Sequence, residues 1–343
     1  MKADLLSMFP QELEDLTLSL GQPKYRGTQI FEGLYRGVRD IEQFTSLPKA
    51  FKAVLAENAF IPTATIKRKL VSQIDGTVKY LFQLHDGETV ESVFMQYKHG
   101  NTMCISTQVG CRMGCAFCAS TKAGLVRSLY PSEMLLQILE AQRDLDKRVS
   151  NIVLMGMGEP LDNYDNVIKF LRLVNQEKGL NIGLRHISLS TCGLVDKIDR
   201  LADENLPVTL SVSLHAPNDE KRKRTMPIAN KYSIKELLAA CNRFINKTGR
   251  RISFEYALIS GENDSVDDAK ELGHLLGGML CHVNLIPVNP IKEKNFKRSE
   301  KNAIKVFTET LETYKINVTV RRKLGADINA SCGQLRAEET NNY

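Results

Sequence analysis

Cys111-Arg-Met-Gly-Cys115-Ala-Phe-Cys118 places three cysteines on one short stretch, spaced C-x3-C-x2-C. Thiolates on a tight loop can each bind one iron of a [4Fe–4S] cluster, which normally takes four cysteines. Three leave one iron without a protein ligand, and an open metal position is what catalysis requires. The competing reading is a zinc site completed by Cys104 or a histidine. Zinc knuckles usually show paired CxxC units, and only one is present here.

The flanking sequence alternates between two periods. Strand-like runs occur at Met103–Thr107, Ile152–Met155, His186–Ser190, Val208–Leu214, Ile252–Ile259 and His282–Pro287. Helical patterns follow each, at Ser132–Asp146, Tyr164–Glu177, Leu194–Asn205, Ser233–Thr248, Ser265–Leu276 and Ser299–Tyr314, with Ser132, Ser233, Ser265 and Ser299 as N-caps. A last strand spans Val318–Arg321. Such βα units with short connections predict an α/β fold with a parallel sheet. Six are too few for a closed eight-fold barrel, so an open, partial (β/α)6 barrel is expected. Its site lies at the carboxyl ends of the strands.

Residues 1–60 read as a small helical domain with patterns at Gln11–Leu20, Thr28–Tyr35 and Pro48–Leu55. Residues 61–97 read as a β-rich connecting segment, with Asp75-Gly76 and Asp86-Gly87 as turns. The core is expected over 98–328 and a C-terminal tail over 329–343. No apolar run is long enough to span a membrane, and the N-terminus has no apolar signal region, so a cytoplasmic enzyme is expected. The net charge of +6 is a weak argument for a polyanionic partner. Three runs, Lys67-Arg68-Lys69, Lys221-Arg222-Lys223-Arg224 and Arg321-Arg322-Lys323, are candidates to neutralise phosphates; the bland reading of each is a solvated face. Lys24, Arg26, Arg36 and Arg39 give the N-terminal region the same potential. The remaining cysteines are 104, 192, 241, 281 and 332; those at 192, 241 and 281 read as structural.

Several further stretches stand in a fixed order: Cys104-Ile-Ser-Thr-Gln-Val-Gly-Cys111, Met155-Gly-Met-Gly-Glu-Pro160, Ser211-Val-Ser-Leu-His-Ala216, Arg224-Thr-Met-Pro-Ile228, His282-Val-Asn-Leu-Ile-Pro287 and Cys332-Gly-Gln-Leu335. With Phe117 before the last clustered cysteine, the chain resembles the radical S-adenosylmethionine (SAM) enzymes. As a set, these stretches resemble the RlmN/Cfr group of RNA adenine methyltransferases. The resemblance implies a radical SAM barrel with an N-terminal RNA-binding domain. It implies one [4Fe–4S] cluster on Cys111, Cys115 and Cys118, and SAM held by Gly158, Glu159, Ser190, Ser213, Leu214, His215 and Asn289. It further implies Glu91 as the base, Cys332 as a methyl carrier and Cys104 as the thiol that resolves it through a disulfide, with a first and a second SAM used in each turnover.

The implied product is 2-methyladenine, in the peptidyl-transferase loop of 23S rRNA and beside the tRNA anticodon, on its 3′ side. The alternative is Cfr-type methylation at C8 of the same rRNA adenine; Pro160 and Ile286-Pro287-Val288-Asn289 look more like the C2 group. Implied partners are these RNAs and an electron donor such as flavodoxin or ferredoxin, with no membrane and a monomeric chain. An RNA-binding protein with a structural metal is the reading from another class, and an enzyme using the radical directly is a third. Asn329 and Ser331 depart from the aspartate and alanine that the family often has there.

Overall fold

The computed structural model describes residues 2–122, 124–288 and 296–330. Asn289 and Cys332 lie outside the described residues. The chain starts with β1 (Ala3–Asp4), α1 (Pro10–Ser19), α2 (Tyr25–Tyr35), α3 (Lys49–Asn58) and β2 (Ala59–Phe60). Three antiparallel strands follow: β3 (Ala64–Val71), β4 (Val78–Leu84) and β5 (Thr89–Tyr97). Then come β6 (Gly100–Cys104), a hairpin of β7 (Gln108–Gly110) and β8 (Leu125–Ser128), and α4 (Pro131–Leu145). The series continues with β9 (Asn151–Leu154), α5 (Tyr164–Val174), β10 (Ile187–Thr191), α6 (Val195–Asp203) and β11 (Thr209–Ser213). It closes with α7 (Asp219–Thr225), α8 (Ile234–Thr248), β12 (Ile252–Leu258), α9 (Val266–Leu276), β13 (Cys281–Pro287), α10 (Lys301–Thr313) and β14 (Asn317–Val320).

The sheet order is β14-β13-β12-β11-β10-β9-β6-β5-β4-β3. From β6 to β14 the pairing is parallel throughout, giving the partial (β/α)6 barrel with one extra edge strand. The 61–97 segment is not a separate layer. β5 pairs antiparallel with β6, so these strands extend the barrel sheet itself.

Local chemistry sets the helix ends. In α8, Ser233 accepts from the Glu236 amide and Glu236 reaches back to the Ser233 amide; Gly249 ends the helix in the left-handed region. Its apolar stripe, Ile234, Leu237, Leu238, Cys241 and Phe244, is buried. Ser265 caps α9 in the same way. The other two serines do not cap. Pro131 fixes the first turn of α4, so Tyr130 is its N-cap, and Ser132 instead donates to Asp4 Oδ2 at 2.5 Å. Glu300 takes the cap position of α10, with Ser299 buried before it.

The N-terminal helices are fastened to the barrel. Leu5, Leu6, Leu13, Ile30 and Phe31 belong to the same apolar core as the barrel helices. Around it, Lys169 pairs with Glu12 at 2.9 Å and Arg39 with Glu140 at 2.7 Å. Of the N-terminal basic residues, Arg26 donates to Gln29, Arg36 pairs with Glu32, and Lys24 is exposed. Among the described residues no helix is long and apolar enough to cross a membrane.

Candidate functional site

The C-x3-C-x2-C stretch forms the loop between β7 and β8, beside the carboxyl end of β6. The Cys111 amide donates to the Gly124 carbonyl at 2.8 Å and closes the loop. The Ala116 amide donates to the Thr225 carbonyl at 2.7 Å, tying the loop to the end of α7. Pro227 lies under Gly114, where an added Cβ would stand 3.2 Å from its ring. The Arg224–Ile228 stretch is therefore a floor for the cysteine loop. Burial, reinforced by the neighbouring thiols, pushes Cys111 and Cys115 up to about 12. Binding to iron would reverse this, because the metal replaces the lost solvation of the thiolate.

The strand ends form a rim around the loop. The bare backbones of Gly156 and Gly158 serve the packing of the chain itself. A Cβ on Gly156 would stand 2.6 Å from the Ile105 carbonyl oxygen, and one on Gly158, at φ +100°, 2.5 Å from Gln108 Cβ. Glu159 is buried; its carboxylate accepts from the Cys192 amide at 2.7 Å and the Leu161 amide at 3.0 Å. Burial raises its pKa. On the inner face Ser190 stands opposite Ser211, and Ser213 opposite Glu255. Leu214 is fully buried. Cys192, Cys241 and Cys281 are buried among core side chains, as structural cysteines would be.

His215 sits at φ +57° with its ring edge-on to Phe117, 4.7 Å between centroids. Its Nδ1 accepts from the Ala257 amide at 2.9 Å, which leaves the proton on Nε2. Burial, with the Arg222 charge, lowers its pKa from 6.5 to about 3. Between these values the unfolded chain binds a proton that the folded chain refuses. The contribution of His215 to stability therefore falls as pH drops from 6.5 towards 3. Asparagine tolerates the left-handed backbone and offers a similar acceptor. His215→Asn should flatten the slope of urea-unfolding stability against pH in the metal-free protein; parallel slopes for variant and parent would refute this.

A third cluster involves Cys104 at the end of β6. Cys104 stands opposite Val93 and packs with Val93 and Met95; Leu324 and Ala330 lie against them. The segment leading into the tail is moored to the β3–β4 turn. Ser72 Oγ donates to Asp327 Oδ1 at 2.6 Å, the Gln73 amide to Asp327 Oδ2 at 2.8 Å, and the Gly325 amide to Asp75 Oδ2 at 2.8 Å. On the same sheet face Glu91 is buried, with Lys79 Nζ 3.8 Å from its Oε2. The structure thus brings Glu91, Cys104 and the start of the tail together.

Comparison with known proteins agrees with this geometry. Residues 105–273 match the profile of the radical SAM superfamily, and residues 3–61 that of the ribosomal RNA large subunit methyltransferase N-terminal domain. A probable dual-specificity RNA methyltransferase RlmN of Alkaliphilus oremlandii is 55% identical over 341 residues, 99% of each chain. One from Clostridium perfringens is 56% identical over 334 residues, 97% of this chain and 96% of that one. The chain belongs to the RlmN family. The crystal structure of a radical SAM methyltransferase from Sphaerobacter thermophilus superposes with a TM-score of 0.93 at 45% identity, covering 98% of this chain and 99% of that one.

Membership of the radical SAM superfamily implies a [4Fe–4S] cluster and SAM, and the donor set fits. Three cysteines share one loop, tied down at Cys111, Ala116 and Cys118, whose amide donates to the Cys115 carbonyl. Among the described residues, no three His, Cys, Asp or Glu side chains stand close enough to hold one metal ion; a cubane asks for one thiolate on each of three irons.

The sequence alone did not reveal the role of Arg222. In a basic run it read as a candidate phosphate contact or part of a solvated face; it is neither, being fully buried. Its guanidinium donates to the carbonyls of Cys192 at 2.7 Å, Ser213 at 3.2 Å and Leu214 at 3.2 Å, joining the ends of β10 and β11. Glu255 and Lys79 were missed as well. Glu255 is a buried inner-face carboxylate that accepts from Asn284 at 2.7 Å. The available signal was a charged residue at an inward position of an otherwise apolar strand. Among the described residues no disulfide joins two cysteines, and Cys332 lies outside them.

Proposed function

We propose that this protein methylates C2 of an adenine in 23S rRNA, in the peptidyl-transferase loop, and of the adenine 3′ of the tRNA anticodon, through a methyl carried on Cys332. The observation that carries this reading is the seating of the tail. Ala330 packs against the cluster that Cys104 forms with Val93 and Met95, and only Ser331 stands between it and Cys332, a span of at most about 7 Å. Near identity in length to the dual-specificity RlmN relatives supports the same substrates.

When bound, the cluster passes one electron, and SAM supplies a methyl group or, on reductive cleavage, a carbon radical. Cys111, Cys115 and Cys118 would hold the cluster; Gly158, Glu159, Ser190, Ser213, Leu214, His215 and Asn289 would line the SAM site. Cys332, as thiolate, attacks the methyl carbon of a first SAM: a new S–C bond forms, the sulfonium S–C bond breaks, and S-adenosylhomocysteine leaves. One hydrogen atom of that methyl would pass to the SAM-derived carbon radical, which leaves as 5′-deoxyadenosine, and the methylene carbon left on Cys332 bonds to adenine C2, joining the RNA to Cys332. The adduct radical would return one electron to the cluster and give up its C2 proton to Glu91. Cys104 thiolate then attacks the Cys332 sulfur: an S–S bond forms, the S–C bond breaks, and the carbon keeps the electron pair and takes a proton. External thiols or a reductase reduce the disulfide. The N-terminal domain would contribute RNA contacts through exposed groups such as Lys24 and Tyr25.

Peptide mass spectrometry tests the carrier. Protein incubated with SAM but without RNA should carry one extra methyl on the peptide containing Cys332. A methyl on another cysteine, or none with an intact cluster, would refute the assignment.

A further inference from the structure

β4 reads Val78-Lys79-Tyr80-Leu81-Phe82, and all five side chains are buried. An ammonium in such a strand is costly unless it is paired and hydrogen-bonded, and an apolar side chain of similar length would serve packing better. Lys79 is paired on two sides. Its Nζ stands 3.8 Å from Glu91 Oε2 and donates to the Asn329 carbonyl at 2.8 Å. The strand register explains the first contact: Lys79 lies opposite Val93 and Leu81 opposite Glu91, so Lys79 and Glu91 are diagonal neighbours on one face. The tail explains the second. Asn329 adopts φ +46° after the turn moored by Asp327 and Gly325, and this brings its carbonyl to the ammonium. Ala330, the next residue, packs against the cluster of Val93, Met95 and Cys104.

We infer that Lys79 is a positioning residue, binding the Glu91 carboxylate and the tail loop leading to Cys332 into one unit, so that proton acceptor and methyl carrier address the same adenine. The inference rests on the roles given above to Glu91 and Cys332. Lys79 touches neither substrate nor cluster in this scheme. Its ammonium fixes where the carboxylate points and where the tail crosses the sheet. A 1 Å error in either placement is enough to lower turnover about 100-fold.

The test uses the reconstituted full chain with a transcript of the peptidyl-transferase loop, comparing parent, Glu91→Gln, Lys79→Met and Lys79→Arg. Iron content, kcat and KM for the transcript, and covalent protein–RNA adduct on denaturing gels are measured. Lys79→Met should lower kcat about 100-fold while KM stays within about threefold, and should trap adduct as Glu91→Gln does; Lys79→Arg should recover to within about tenfold of the parent. Parent-like kcat in Lys79→Met, or a loss that follows iron content alone, would overturn the inference. If Lys79→Met does not fold, the double variant Lys79→Met/Glu91→Gln, free of the buried carboxylate charge, is compared with Glu91→Gln. Slower adduct formation in the double variant is expected, and equal rates would overturn the tie to the tail. Parent-like turnover in Glu91→Gln would instead show that the underlying reading of the base is wrong.

Discussion

Cys104→Ala, expressed in cells, should accumulate as a covalent protein–RNA adduct through Cys332, while Cys332→Ala should give neither adduct nor methylated RNA. The contrast follows from the order of steps. Addition to adenine needs only the methyl on Cys332, whereas release needs a second thiol in reach. Cys104 is the proposed second thiol: it lies at the end of β6, 228 positions from Cys332 in sequence, yet its cluster with Val93 and Met95 packs against Ala330. Alanine at 104 removes a small buried group and costs about 1 kcal/mol, too little to unfold the chain. Released methylated RNA should fall at least about 1,000-fold in both variants, because each loses an indispensable nucleophile. A band sensitive to ribonuclease on a denaturing gel identifies the adduct. Normal turnover by Cys104→Ala would make Cys104 a structural cysteine and remove the resolving step.

Cys111→Ala, Cys115→Ala and Cys118→Ala should each abolish SAM cleavage, by at least about 1,000-fold, since a three-cysteine site has no spare thiolate. None of the three should collapse the fold. The loop is held by backbone bonds, from Cys111 to Gly124, Ala116 to Thr225 and Cys118 to Cys115, and these survive truncation of a side chain. Iron content and 5′-deoxyadenosine release after anaerobic reconstitution measure the effect. Normal nucleoside release from any one of the three would refute the cluster assignment. The same preparations separate a colourless zinc site from a brown iron–sulfur one.

The barrel was legible because its elements are locally consistent. Expected and observed strands at His282–Pro287 and Cys281–Pro287 differ by one residue, and Ser233–Thr248 coincides with α8 and its cap. The alternation of buried and partly exposed residues along β10 and β13 reports one face on helices and the other on the site. The joining of β3–β5 to that sheet was not legible. It depends on β5 pairing with β6, a tertiary choice that strand propensity does not encode. The fate of the Lys221–Arg224 run was hidden for a similar reason. Seven residues of α7 are too few to show a periodic face, so nothing distinguished buried Arg222 from the exposed Lys223 beside it. The grouping of Cys111, Cys115 and Cys118 on one loop was legible from spacing alone. The Lys79–Glu91 contact was not, because it is a diagonal across two strands whose register becomes known only in the folded sheet.

Mass spectrometry of nucleosides from rRNA and tRNA, in cells with and without the gene, tests C2 methylation most directly. The account predicts that deletion removes 2-methyladenosine from both RNAs and that the intact gene, but not Cys332→Ala, restores it. Undiminished 2-methyladenosine in the deletion strain, or the loss of 8-methyladenosine in its place, would contradict it.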